Sequence, residues 1–206
     1  LNRKVFISYK RQDTENLAMQ LFDGLVHRGF SPFLDSYSIE PGVDFQEYLK
    51  HELSDSEIMI LLNSENFDCS QYTREEIVVA LHQGVGIVLV NFPNSKKEIK
   101  DKAQISVSIE MSDNPERFKD YSDEEIIKIL DVVESYRARA FSRKRSTLIS
   151  EVSKILSLDK YNILQNGNLY SDEDNLFIEL ITRTPSSVDI HQMDMETMGY
   201  AKLKRR

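Results

Sequence analysis

Two adjacent carboxylates, Glu75 and Glu76, follow the polar run Phe67-Asp68-Cys69-Ser70-Gln71-Tyr72-Thr73-Arg74 and precede the apolar positions Ile77, Val78, Ala80 and Leu81. That pattern places them near the first turn of a helix, where the axial dipole favours carboxylates, so ordinary helix-start chemistry is one reading. The other is that one of them faces a cleft and acts on a substrate. Adjacent helix positions point about 100° apart, so if Glu76 faces the cleft, Glu75 does not. Two further groups bear on the choice: Tyr9-Lys10-Arg11 and Asp35-Ser36, each placed directly after an apolar run. Cations, aromatic rings and carboxylates in one place suit a charged, aromatic-bearing small molecule.

The elements that must position these residues are legible in the hydrophobic pattern. Lys4-Val5-Phe6-Ile7-Ser8, Phe30 to Leu34, Glu57 to Leu62 and Gly86 to Val90 read as short, nearly all-apolar strands, and Gln104 to Met111 as a fifth. Between them, Leu17, Ala18, Leu21, Phe22 and Leu25 recur at helical spacing after the cap signal Asp13-Thr14 and stop at Gly29. Phe45 to Leu53 and the segment from Thr73 to Gly84 read as two more helices. Apolar strands alternating with helices predict an α/β fold, a flavodoxin-like doubly wound sheet of about five parallel strands. Ligands bind such sheets beyond the carboxyl ends of the strands, where Tyr9-Lys10-Arg11, Asp35 and the run from Asn63 to Glu76 fall. Asp123 to Ala140 and Ser142 to Leu158 carry apolar stripes and predict two additional C-terminal helices. Past Asp159 the pattern is irregular apart from Asn175 to Ile181, and the polar, methionine-spotted stretch from Ser186 to Arg206 predicts a loosely ordered or partner-dependent tail.

Composition narrows the class. A length of 206 residues allows one ordinary domain with an appendage, and a core of about 150 residues would bury roughly 70% of its unfolded surface. A net charge of −8 argues against nucleic acid as a partner. A single cysteine cannot form an internal disulfide, and no apolar run reaches the length of a membrane helix. The expectation is a cytoplasmic protein with no membrane partner; the start at Leu1 rather than methionine is what a piece of a longer protein would show.

Several chemistries are excluded by missing motifs. The chain has no G-x-G-x-x-G, no phosphate-binding G-x-x-x-x-G-K-[ST] and no G-x-S-x-G elbow. His27, His51, His82 and His191 lack metal-ligand spacing, and no metal site is expected. Asn63-Ser64 stands where a phosphoacceptor aspartate would follow the third strand. Cys69 reads as a small semi-buried residue or a reactive thiol, Asp35 as a turn cap or part of a substrate loop, and Ser36, Tyr37 and Asp44 as loop residues. Arg137, Arg139, Arg143, Lys144 and Arg145 read as a solvated basic face, with phosphate or partner binding the alternative.

Five segments in order resemble one family. Phe6-Ile7-Ser8-Tyr9-Lys10-Arg11-Gln12-Asp13, Gly29-Phe30-x-x-Phe33-x-Asp35, Glu40-Pro41-Gly42, Ser64-Glu65-Asn66-Phe67 and Asp68-Cys69-x-x-Tyr72-x-x-x-Glu76-Ile77 are similar to a Toll/interleukin-1 receptor (TIR) domain over residues 3–158. This leaves 159–206 as an extension, or the opening of a second domain. The cysteine-to-glutamate spacing resembles the NAD-cleaving members, the bacterial immune TIRs above all.

The resemblance implies a set of roles. Glu76 falls at the family's catalytic glutamate; Tyr9, Lys10, Arg11, Asp35, Ser36, Cys69 and Tyr72 fall at substrate-binding positions. Ile39, Glu40, Pro41, Gly42 and Asp44 fall in the BB loop that mediates assembly. Lys10 replaces the family's arginine and so lacks its bidentate fork, and Tyr72 replaces a tryptophan with a smaller stacking face. The implied reaction is cleavage of NAD⁺, as substrate and with no cofactor required, to nicotinamide and ADP-ribose in free, cyclic or conjugated form. Breaking that bond develops oxocarbenium-like charge that a carboxylate stabilises, and nicotinamide leaves neutral. Lys10 and Arg11 would hold the pyrophosphate and Tyr72 would stack on a ring. The implied setting is antiphage defence, with self-association through TIR–TIR contacts and a sensor or effector protein as a further partner. The alternatives are a non-enzymatic TIR–TIR scaffold, a host-mimicking bacterial effector, and a nucleoside-transferring enzyme of related fold.

Overall fold

The computed structural model describes residues 3–36, 43–67, 71–95, 106–156, 160–164, 168–171, 173, 176–183 and 185, with the backbone alone at 35, 36, 43–46, 71–75, 106 and 163. These residues form two compact units, 1–144 and 145–206. The first alternates strand and helix: β1 (Lys4–Tyr9), α1 (Arg11–His27), β2 (Ser31–Ser36), α2 (Val43–Asp55), β3 (Ile58–Asn63), α3 (Gln71–His82), β4 (Gly86–Asn91) and β5 (Ser106–Glu110). All strand pairs are parallel and the sheet order is β2-β1-β3-β4-β5, the doubly wound sheet expected from the apolar runs.

Strand alternation sorts the core into two layers. Val5, Ile7, Ile60, Leu62, Val88 and Val90 pack with Leu17, Leu21 and Leu25 of α1 on one face. Phe6, Met59, Leu61, Ile87 and Leu89 pack with Leu53 of α2 and with Ile77 and Ala80 of α3 on the other. Because β3 and β4 are buried throughout and covered on both faces, they run without polar residues up to their closing asparagines, which is why their sequences show no period of two.

Two glycines close the helices that flank the site. Gly29 and Gly84 adopt φ values of +74° and +71°, a left-handed conformation that side chains resist. The residue after each, Phe30 or Val85, donates its amide back to the carbonyl of Leu25 at 3.0 Å or Ala80 at 2.8 Å, the six-to-one bond of a glycine-terminated helix.

The two helices expected after Asp123 are one. Helix α4 (Asp123–Ile155) runs for 33 residues without a break. Nothing between Ala140 and Ser142 stops it, because Ala140-Phe141-Ser142 contains neither glycine nor proline. Ile126, Ile129, Leu130, Val133, Tyr136 and Ala140 pack onto the α1 side of the sheet. The arginine-rich stretch of this helix is largely engaged: Arg137 pairs with Glu57 at 2.5 Å, and Arg143 donates to the Tyr136 hydroxyl at 3.1 Å.

Lys144 is buried, and its ammonium donates to the carbonyls of Ser54 and Ser56 at the C-terminus of α2. Those carbonyls have no partner within the helix, and a cation there also complements the dipole. Burial pushes the Lys144 ammonium down to about 8, against the opposing pull of Asp55 and Glu57 and with a small contribution from Lys4. Lys144→Met is expected to cost about 2 kcal/mol at neutral pH, since the stranded carbonyls outweigh the relief of burying no charge. The native chain releases the Lys144 proton near pH 8, whereas the unfolded chain keeps it to about 10.5. The native state therefore gains stability over the variant as pH rises through that window, by up to about 3 kcal/mol. Urea unfolding of both proteins at pH 7 and 10 tests this, and a gap that narrows at pH 10 would contradict the assignment.

In the second unit, a stretch with little periodicity forms a small antiparallel sheet of β6 (Asn162–Ile163), β7 (Leu169–Ser171) and β8 (Leu176–Ile178). These strands are two or three residues long, too short to register as alternation. Asn168 supports them by accepting the Leu180 amide on its side chain at 3.2 Å. The remainder of the tail, 186–206 with Met193, Met195 and Met198, lies outside the described residues. No helix among the described residues is long and apolar enough to cross a membrane.

Candidate functional site

The chain leaves β1 toward β2 on one side and later enters β3 on the other, so the sheet order reverses between β1 and β3. In open parallel sheets, ligands sit beyond the carboxyl ends of the strands at such a reversal. Ser8 lies near the end of β1 and pairs in register with Leu61 of β3. It shares the strand face of Phe6, two residues before it, and is fully buried on the α2 and α3 side. From α3, Glu76 reaches the same point: the Ser8 hydroxyl donates to its Oε2 at 3.3 Å.

Glu76 is only 7% exposed. A buried carboxylate forfeits hydration, and a fold retains one where hydrogen bonds or function compensate. Its setting can hold sugar hydroxyls or face developing positive charge in a bound molecule.

The expected cation group is arranged differently from the sequence reading. Tyr9 is one residue beyond Ser8, so its side chain falls on the opposite face and packs in the core with α1 and α4. Lys10 is half-buried, and its carbonyl accepts the amides of Asp13 at 3.0 Å and Thr14 at 2.9 Å where α1 begins. Arg11 pairs with Glu15 at 2.9 Å, and Arg117 meets the same carboxylate at 2.7 Å. Arg117 first, then Arg11, hold the Glu15 carboxyl below the usual glutamate range. The cluster therefore persists as pH falls through that range.

Asp35 and Ser36 end β2, with Asp35 in register with Ser8 and Ser36 with Tyr9. The backbone thus brings Asp35 one strand away from the residue that holds Glu76. Tyr72 lies in the first turn of α3 and Asp44 in the first turn of α2. Ile39, Glu40, Pro41, Gly42 and Cys69 lie outside the described residues.

Three features of this edge of the sheet escaped the sequence reading. Ser8 is one; its only signal was a hydroxyl inside an otherwise apolar strand. The second is a polar row across β3, β4 and β5, where Asn63 donates to Asn91 at 2.9 Å and Asn91 to Glu110 at 3.0 Å. Asn63 pairs in register with Asn91, and Asn91 with Glu110, so each strand ends its apolar run on the same row. The third is Asp13, whose carboxylate accepts from Ser64 at 2.6 Å.

Residues 5–125 match the family described as TIR domain. Among solved structures, the activated Roq1 resistosome directly recognizing the pathogen effector XopQ (TIR domains) is similar at 18% identity, with 75% of this chain and 86% of that chain covered and a TM-score of 0.41. With more than half of its length matched by the family and a parallel sheet of order β2-β1-β3-β4-β5, the chain belongs to the TIR domain family.

Proposed function

We propose that this TIR domain cleaves NAD⁺ at the nicotinamide–ribose bond, with Glu76 as the catalytic residue. The observation that carries the reading is the buried Glu76 carboxylate, held by Ser8 beside the point where strand order reverses. A buried carboxylate stabilises the oxocarbenium-like charge that bond cleavage develops. Lys10 and Arg11, which directly follow β1, supply charge for the pyrophosphate. Arg11 first has to leave Glu15, which costs little because the pair is exposed and Arg117 remains to neutralise Glu15. Asp35, Ser36, Cys69 and Tyr72 complete the proposed substrate site, and Ile39, Glu40, Pro41, Gly42 and Asp44 the proposed assembly loop.

The same proposal takes 3–158 as the TIR domain and 159–206 as an extension. It sets the protein among bacterial immune TIRs, cytoplasmic and activated by self-association, with ADP-ribose, cyclic or conjugated ADP-ribose as product. The test is NAD⁺ consumption over a range of protein concentrations, with and without enforced assembly, and product identification by mass. Turnover that rises faster than protein concentration supports an assembled enzyme. Intact NAD⁺ throughout, with TIR–TIR association still present, would replace the enzyme with a scaffold.

Ser8→Ala supplies a graded check. A hydrogen bond to a charged group contributes about 1.5–3 kcal/mol, so its loss is expected to lower kcat by about 10- to 100-fold. KM should change far less, because Ser8 is fully buried and acts through its hydrogen bond to Glu76. Steady-state kinetics on the variant decide the matter, and an unchanged kcat would remove Ser8 from the site.

A further inference from the structure

Asp13 joins the β1–α1 and β3–α3 connections. It lies in the opening turn of α1, set off from the rest of the helix by Thr14, whose φ of −131° and ψ of 27° break the helical path. Thr14 is buried, and its hydroxyl and amide both return to the Lys10 carbonyl, at 3.3 and 2.9 Å, which fixes the turn. From that turn the Asp13 carboxylate reaches across to the β3–α3 connection. One oxygen accepts from the Ser64 hydroxyl at 2.6 Å and the other from the Asn66 side chain at 3.4 Å.

The connection it holds is itself tightly folded. Ser64 is fully buried, its amide donates to the Leu62 carbonyl at 3.1 Å, and its own carbonyl accepts the Phe67 amide at 3.1 Å. Phe67 then plugs the core on the α3 side of the sheet. A few residues later α3 begins and carries Glu76. Short hydrogen bonds to an ionised carboxylate are the strong ones, so the Ser64 contact outranks the longer Asn66 contact.

We propose that Asp13 is a positioning residue. Its carboxylate clasps the β3–α3 connection to the turn bearing Lys10 and Arg11, setting the distance between Glu76 and the cations that meet the substrate. The proposal rests on the NAD⁺-cleaving reading of the site. It differs from a purely stabilising ion pair because Asp13 and Ser64 tie together two loops rather than two layers of core. A displacement of about 1 Å at a reacting group can cost about 100-fold in rate, so a loosened clasp should register in turnover before it registers in stability.

The experiment uses the full chain with Asp13→Ala, Ser64→Ala and the double variant, read by NAD⁺ kinetics under enforced assembly and by amide hydrogen exchange. Each single variant is expected to lower kcat by about 10-fold or more, with melting temperature nearly unchanged. The double variant should be less than about 2-fold worse than Asp13→Ala, because the clasp is already open. Exchange should quicken over Ser64 to Phe67 and the start of α3, and nowhere else. Effects that multiply in the double variant, or unchanged exchange in those segments, would overturn the proposal. If the native chain fails to turn over NAD⁺, the enzymatic reading fails by itself. The exchange pattern still separates a clasp that holds these loops from one that does not.

Discussion

Glu76→Gln is expected to reduce NAD⁺ turnover by about 1,000-fold while leaving the fold intact. Glutamine keeps the size of glutamate and still presents an oxygen to the Ser8 hydroxyl, which donates to Glu76 at 3.3 Å. What it removes is the negative charge, the one property that can answer positive charge on the ribose. The stability consequence runs the other way. Burying a carboxylate at 7% exposure carries a desolvation cost that a neutral amide does not bear in full. The melting temperature of the variant should therefore lie within about 4 °C of the native chain or above it. Loss of activity with retained stability would mark Glu76 as kept for function rather than for folding. Glu75→Gln is the internal control, since the adjacent helix position is rotated by about 100°. Equal losses from Glu75 and Glu76 would point to a shared structural effect, and full activity in Glu76→Gln would end the catalytic assignment.

The largest expected effect on stability comes from a residue with no side chain. Gly86 opens β4 beneath α4, and a Cβ placed on it would stand 2.5 Å from Cβ of Ala140 and 2.8 Å from Cε1 of Tyr136. Cβ of Ala140 cannot swing aside, because it has no torsion of its own to relieve the contact. Gly86→Ala must push α4 off the sheet. Overpacking of this kind costs about 3 kcal/mol, well above the 0.4–1 kcal/mol that alanine gains by stiffening the unfolded chain. The expected fall in melting temperature is about 6–12 °C. Pairing it with Ala140→Gly should recover part of the loss, although that change alone costs about 1 kcal/mol of helix stability. A double-mutant cycle in urea measures the coupling. Additive losses would show that the two residues do not press on each other.

Both expectations depend on packing that hydropathy does not describe. The strand–helix alternation, the parallel sheet and the helix stops at Gly29 and Gly84 were legible because each depends on neighbours in sequence. A doubly covered strand must be apolar throughout, and a helix that turns back into a strand needs a residue tolerant of positive φ. Glu76 was likewise legible as a candidate, from its place near a helix start and from the ordered segments that resemble a TIR domain.

By itself, then, the sequence determined the order and type of the elements from β1 to β5, the family and the glutamate worth testing. Only the tertiary structure decided what surrounds that glutamate. Ser8 and Glu76 are 68 residues apart, and Asp13 and Ser64 are 51 apart. The row Asn63, Asn91 and Glu110 comes from three strands that meet only in the folded sheet. Tyr9 and Ser8 differ by one position yet lie on opposite faces, because a strand turns its side chains over at every residue. The merger of two expected helices into α4 and the close approach that Gly86 allows it are facts of the same kind. Periodicity reports which face of an element is apolar, but not which element it meets or how closely.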